Sequence, residues 1–236
     1  MFRKLYNRAI FEAELVPEGP ILIMEGGPVL DPTAPDLAFV RTLRGGRSTV
    51  YVPGASLKGV IRSHAERILA TEMGPNAAED PFDRHARRRR EARSARERRG
   101  GPDRPAVYRS SCEADRVFGS TEIAGRFRIA DALPVDDETL AAANRTEVRY
   151  SVAIDRVKQS ARGAALFEQE AVTQGAFKAR AVLENYELWM LALVLQVLRD
   201  LNDGFVQIGH AKTRGFGTVR LGRPSVRLLW PGDRPG

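Results

Sequence analysis

Phe11, Ala13 and Leu15 alternate with Glu12 and Glu14, the period-two pattern of a strand with one buried face. Ile21-Leu22-Ile23 makes a second extended run after the turn Pro17-Glu18-Gly19-Pro20. Residues 25–49 are rich in Gly, Pro, Asp and Arg. They are too many and too polar for a simple turn, and a structureless loop of that length in a compact domain is usually functional or disordered. Val50-Tyr51-Val52 predicts a short strand. Pro53-Gly54-Ala55-Ser56 then turns into a helix over about residues 57–73, with Ser56 as its N-cap. Leu57, Val60, Ile61, His64 and Ile68 fall on one face of it, and Gly74-Pro75 ends it.

Further along, residues 127–132 and 148–154 read as strands. Residues 167–183 read as a hairpin turning at Gly175. Residues 187–201, ELWMLALVLQVLRDL, give the strongest helix. It is apolar nearly all round, so it is expected to lie buried on a sheet, with Asn202-Asp203-Gly204 as its C-terminal cap. Strands are expected at 205–208, 217–221 and 225–229, with a glycine-rich loop after the first. No repeat of fixed period is present. Two helices on one face of an antiparallel sheet define an α+β fold. A ferredoxin-like core, related to the RNA-recognition-motif arrangement, is the natural candidate.

Composition changes this picture in one respect. The 236 residues carry a net charge of +7, which invites a nucleic-acid partner. Yet ten of the 37 lysines and arginines, against three of the 30 acids, lie between Arg84 and Arg104. That segment holds the whole excess, and the rest of the chain is neutral. Residues 76–105 have no apolar face to bury and read as a mobile surface insertion. The arginine run can contact RNA nonspecifically or simply be solvated. Any binding site in the folded body must therefore be local. No apolar run is long enough to span a membrane, and no signal peptide is evident. The single cysteine, Cys112, excludes an intrachain disulfide. A cytoplasmic protein is expected.

Two segments carry candidate chemistry. In Val52-Pro53-Gly54-Ala55-Ser56-Leu57-Lys58-Gly59-Val60-Ile61-Arg62-Ser63, small residues allow close backbone approach, and a helix N-terminus offers free N–H groups to an anion. Lys58 and Arg62, four apart, emerge on one helical face. This combination suits a phosphate, although an ordinary strand-turn-helix with exposed cations reads the same way. It is not a Walker loop. In Ile208-Gly209-His210-Ala211-Lys212-Thr213-Arg214-Gly215-Phe216-Gly217, the backbone around Gly215 can line a phosphate. Lys212 and Arg214 can neutralise it, and Phe216 can stack or pack. A third segment, Val152 to Val157 with Leu166-Phe167-Glu168-Gln169-Glu170, shows no evident chemistry in its residue types. Asp155 and Arg156 there can be no more than a surface ion pair.

Taken in this order, the three segments resemble the RAMP (repeat-associated mysterious protein) superfamily, and more narrowly the backbone subunit of type III CRISPR effector complexes. The matching runs are Pro53 to Ser63, Val117-Phe118-Gly119-Ser120, Ala153 to Val157 with Leu166 to Glu170, and Gly209 to Gly217. The resemblance covers most of the chain except the arginine-rich insertion. It implies one domain that stacks with copies of itself along a CRISPR guide RNA, beside other type III effector subunits and without a membrane. Ser56, Lys58 and Arg62 would hold guide phosphates, joined by Lys212, Arg214, Gly215 and Phe216. Residues 153–175, with Arg156 and Phe167, would form or flank a thumb that kinks the guide–target duplex. An aspartate in the long loop would cut complementary target RNA at regular intervals, Mg²⁺ being the cofactor this would use. That loop holds Asp31 and Asp36, and Asp36 matches better by context. Two alternatives stay open: a non-catalytic RNA-binding scaffold, and a CRISPR RNA-processing endoribonuclease using His64 or His210. No histidine pair has metal-ligand spacing. His64 reads as a buried structural residue, Cys112 as structural, and Trp189 and Trp230 as packing.

Overall fold

The computed structural model describes residues 4–26, 35–78 and 104–231. Asp31 and the arginine-rich segment up to residue 103 lie outside the described residues. Five strands and two long helices make the body. Strands β1 (Arg8–Pro17), β4 (Phe127–Ile129), β8 (Phe177–Glu184) and β9 (Val219–Leu229) form one sheet in the order β4-β8-β1-β9, and β5 (Leu133–Pro134) also pairs with β8. All of these pairs are antiparallel. Helix α1 (Gly54–Met73) connects β1 to β4, and helix α5 (Leu188–Asn202) connects β8 to β9. Two strand-helix-strand units therefore interleave in one sheet, which is the ferredoxin-like α+β arrangement the pattern predicted.

The alternation in β1 does what period two dictates. Ala9, Phe11 and Leu15 are buried, whereas Glu12 and Glu14 point to the other face. There they meet Arg180 at 3.3 Å and Arg223 at 3.2 Å. The core has two ends. At one, Phe11, Ile61, Ala65, Leu69, Phe118, Phe127, Leu183, Met190 and Val194 pack together. At the other, Leu15, Leu22, Phe39, Val52, Leu57, Phe177, Leu201, Ile208 and Phe216 do. Fully burying one such side chain contributes roughly 1.5–3 kcal/mol. Truncating Phe39 or Phe177 to Ala costs about 3–5 kcal/mol.

Several boundaries differ from the pattern-based reading. Helix α1 starts at Gly54 with Pro53 as its N-cap, so Ser56 lies inside the first turn and caps nothing. A side chain at Gly54 would strike the carbonyl oxygen of Ile129 at 2.7 Å; only glycine lets α1 begin this close to the sheet. The polar stretch before α1 is not all loop. Strands β2 (Arg41–Arg44) and β3 (Arg47–Val50) form a hairpin whose turn residues Gly45 and Gly46 have φ of 57° and 78°. The expected hairpin at 167–183 does not exist. Strand β7 (Ala161–Ala171) pairs with β6 (Glu147–Ile154) in a separate two-stranded ribbon, while β8 joins the main sheet, and Gly175 sits in the passage between them. Residues 205–208 form no strand. β9 runs through both strands predicted near the C-terminus as one. Helix α5 buries Met190, Leu193, Val194, Val197 and Leu201 but exposes Leu188 and Leu195, so it is buried on one side only. Short helices α2 (Arg104–Ser110), α3 (Glu113–Phe118) and α4 (Asp137–Ala143) complete the described fold.

Candidate functional site

The structure distributes the expected site residues over three places. The first is the flank of α1 that carries Lys58 and Arg62. At the start of the helix one donor is already taken: the Gly54 N–H donates to the Asp131 carboxylate at 2.7 Å. Arg62 is committed as well. It donates to Glu66 at 2.7 Å, to the Gly119 carbonyl at 2.7 Å and to Asp115 at 2.8 Å. Burial works against its charge, but Glu66 and Asp115 outweigh that and raise its pKa. Lys58 has the opposite surroundings. Partial burial, then repulsion from Arg62, lowers its pKa, and no described acid pairs with it. Arg62 thus ties α1 to α3 and the turn after it, and Lys58 is left as the cation seeking a counter-charge.

The second place is the base of the β6–β7 ribbon. The Asp36 carboxylate accepts the Glu168 N–H at 3.0 Å. Leu37 runs parallel to β7, donating to the Glu168 carbonyl and accepting from the Glu170 N–H, both at 2.9 Å. Asp36 and the Leu166-to-Glu170 run, 130 residues apart in sequence, are therefore neighbours. Next to them, the Arg214 guanidinium lies 5.8 Å from the Phe167 ring centre, and that of Arg149 lies 5.6 Å from Phe216. Phe216 is buried in the core, so of the two roles open to it, packing is the one it plays. Phe167 is half-buried. Gly215 is exposed beside Arg214. The glycine-rich loop is held here by the backbone: His210 N–H donates to Leu22 at 2.7 Å and Gly217 N–H to Pro20 at 2.8 Å. Arg156 is exposed at the ribbon's tip, remote from this base along the strands.

Three features at the ribbon escaped the sequence reading. Glu170 is buried and accepts from the Phe39 N–H at 2.8 Å, from Thr146 at 2.7 Å and from Arg41. Burial alone would raise its pKa; these donors outweigh it and hold the carboxyl below its usual range. Gln169 beside it is 1% exposed, with neither side-chain polar atom partnered. Finally, one face of the ribbon presents Tyr150, Val152, Ile154 and Leu166 to solvent at 49–68% exposure. The alternation of apolar residues along 148–154 was the available signal; read as an ordinary strand, it implied burial.

The third place receives Lys212. Only two residues from Arg214, it turns away to line a cavity against α1. Among the described residues, no three His, Cys, Asp or Glu side chains converge as a metal-binding group, and no helix is long and apolar enough to cross a membrane.

A search of curated proteins found no match. The family model of the RAMP superfamily matches residues 18–220. That span takes in α1, the ribbon, the glycine-rich loop and most of both core ends, leaving β1 outside it. The membership brings a general role, CRISPR-associated RNA binding. With most of its length covered by that match, the chain belongs to the RAMP superfamily.

Proposed function

We propose that the chain is the backbone subunit of a type III CRISPR effector complex, stacking along a guide RNA and cutting the complementary target through Asp36. The observation that carries this reading is the placement of Asp36 on the base of a two-stranded ribbon, beside Phe167 and Arg214. Lys58 supplies a guide-phosphate contact, with Ser56 beside it in the first turn. Arg62 positions that flank of α1 through Asp115 and Gly119. The exposed apolar face of the ribbon suits insertion between bases, where apolar wedges unstack a step and kink the duplex.

RNA brings its own nucleophile. The 2′-oxygen beside the scissile phosphate attacks phosphorus, and the bond to the 5′-oxygen breaks. The products are a 2′,3′-cyclic phosphate and a 5′-hydroxyl, the leaving oxygen taking a proton from water. The protein must hold the nucleotide in line and accept the 2′-OH proton. Asp36 has one carboxylate oxygen oriented by the Glu168 N–H, which leaves the other to accept that proton. The exposed Asp36 carboxylate would also serve as a ligand for Mg²⁺, which proteins hold through one or two carboxylates together with substrate phosphates; bound there, the ion would polarise the phosphoryl oxygen as a Lewis acid.

The test is Asp36→Asn, assembled on guide RNA. Complementary RNA binds as before, and cutting at regular intervals falls by roughly two orders of magnitude or more. Undiminished cutting by Asp36→Asn with loss in Asp31→Asn moves the role to Asp31. A parent that binds target and never cuts makes the subunit a scaffold.

A further inference from the structure

On the flank of α1 away from Lys58, Ser63, His64 and Arg67 face residues 205–212 across a cavity of about 120 Å³, which Lys212, Phe205 and Gln207 also line. Helical spacing separates the two flanks: Lys58 and Arg62 lie on one side of the buried stripe Leu57-Ile61-Ala65, and Ser63, His64 and Arg67 lie on the other. The wall of the cavity is fixed. His64 Nε2 meets the Asp200 carboxylate at 2.6 Å, joining α1 to α5, and Gln196 donates to the same carboxylate at 2.8 Å. Phe205 is held at the end of α5 by its N–H on the Asp200 carbonyl at 2.9 Å, and Gln207 donates to Gly204 at 2.9 Å.

The two full charges on this wall are unpaired among the described residues. Neither Arg67 nor Lys212 has an ion pair among the described residues, and both are exposed. Phe205 is 74% exposed beside them. Two cations lining one cavity attract a phosphate oxyanion, and an exposed aromatic ring held at their side offers a flat apolar surface. A phosphate joined to a planar base uses both at once. A carboxylate uses only the cations. The cavity is small, about 120 Å³, and Phe205 is exposed at its edge, so the phosphate is placed within it and the base over the ring.

We infer that this pocket binds one nucleotide unit of single-stranded RNA, with its phosphate on Arg67 and Lys212 and its base stacked on Phe205. The inference rests on the chain being an RNA-binding protein and adds a second contact point, on the far side of α1 from Lys58. It makes α1 a spine gripped by RNA on both flanks.

The test measures binding of a labelled short single-stranded RNA to the purified chain as a function of salt, with poly-aspartate as competitor. Arg67→Ala with Lys212→Ala lowers affinity about tenfold and reduces the log–log salt slope by roughly 0.7, the loss of one phosphate contact. Phe205→Leu, at an exposed position that leaves folding intact by circular dichroism, lowers affinity at least fivefold with the slope unchanged. If both variants bind like the parent while Lys58→Ala binds more weakly, the pocket assignment is overturned and the RNA-binding reading stands. If the parent binds no RNA, that reading falls and takes the pocket with it. Poly-aspartate competing as well as RNA, with Phe205→Leu silent, overturns the proposal in favour of an acidic peptide.

Discussion

Helix α1 carries basic residues on both flanks, and the flanks differ in what their charges are doing. On one, Arg62 spends its donors on Glu66, Asp115 and the Gly119 carbonyl. On the other, Arg67 and Lys212 face an open cavity, with no acid paired to them among the described residues. Lys58 shares a face with Arg62 yet belongs in character with the second pair. A cation's position on a helix, which sequence spacing gives, does not say whether it holds the fold together or waits for a ligand. That is decided by acceptors distant in sequence: Asp115 lies 53 residues from Arg62, and no spacing rule reaches that far.

The sharpest way to break this contrast is Arg62→Ala. It strips a partner from Asp115, whose side chain is only 3% exposed, and breaking such a buried pair is strongly destabilising. Because Arg62 itself is 30% exposed, solvent offsets part of the loss. Urea unfolding should show a loss of about 2 kcal/mol; a loss under about 0.5 kcal/mol would return Arg62 to the ligand-seeking class.

Glu170 extends the contrast to an anion. Its donors lower its carboxyl pKa, so its stabilising contribution is present above the unfolded-state value of about 4.3. It is lost as pH falls through the lower folded-state value. Glu170→Gln should therefore unfold more easily by about 1–2 kcal/mol near neutral pH. The gap between variant and parent should close below about pH 4. A gap that persists at pH 3 would mean that shape, not charge, is what the Arg41 and Phe39 contacts require.

The smallest effect on stability belongs to Lys58→Ala, and that is its value. Burial and Arg62 both disfavour the Lys58 charge, so removing it should leave unfolding unchanged to within about 0.5 kcal/mol. The same substitution should flatten the log–log salt dependence of RNA binding by roughly 0.7. Loss of stability with unchanged RNA binding would put Lys58 with Arg62 among the structural cations.

The sheet and its two helices were legible because their signals are local: the Phe11-Ala13-Leu15 alternation, the apolar stripe of α1 and the run at 187–201. The ribbon was half legible. Its strands could be seen, but their pairing could not, since a continuous extended run at 167–183 looks the same whether it folds back on itself or leaves β6 for β1. The β2–β3 hairpin was missed because its strands are mostly exposed and polar, although Gly45-Gly46 is a two-residue turn signal in its own right. Among site residues, Asp36 and the Leu166-to-Glu170 run were each visible as motifs, and the backbone bonds that join them were not. The split of Lys212 from Arg214 depends on a short 3₁₀ turn over Lys212–Arg214 that sends neighbouring side chains to different partners.

The ribbon is also a lever. Its strands pair only with each other along most of their length, and its fulcrum is the pair of bridges from Leu37 to Gln169 and from Ile21 to Val172. Through Glu170 the fulcrum is bolted to Arg41, the first residue of the β2–β3 hairpin. The ribbon's root is thus tied at once to the segment bearing Asp36 and to the hairpin beyond it, so the projecting arm and those two segments share one anchor.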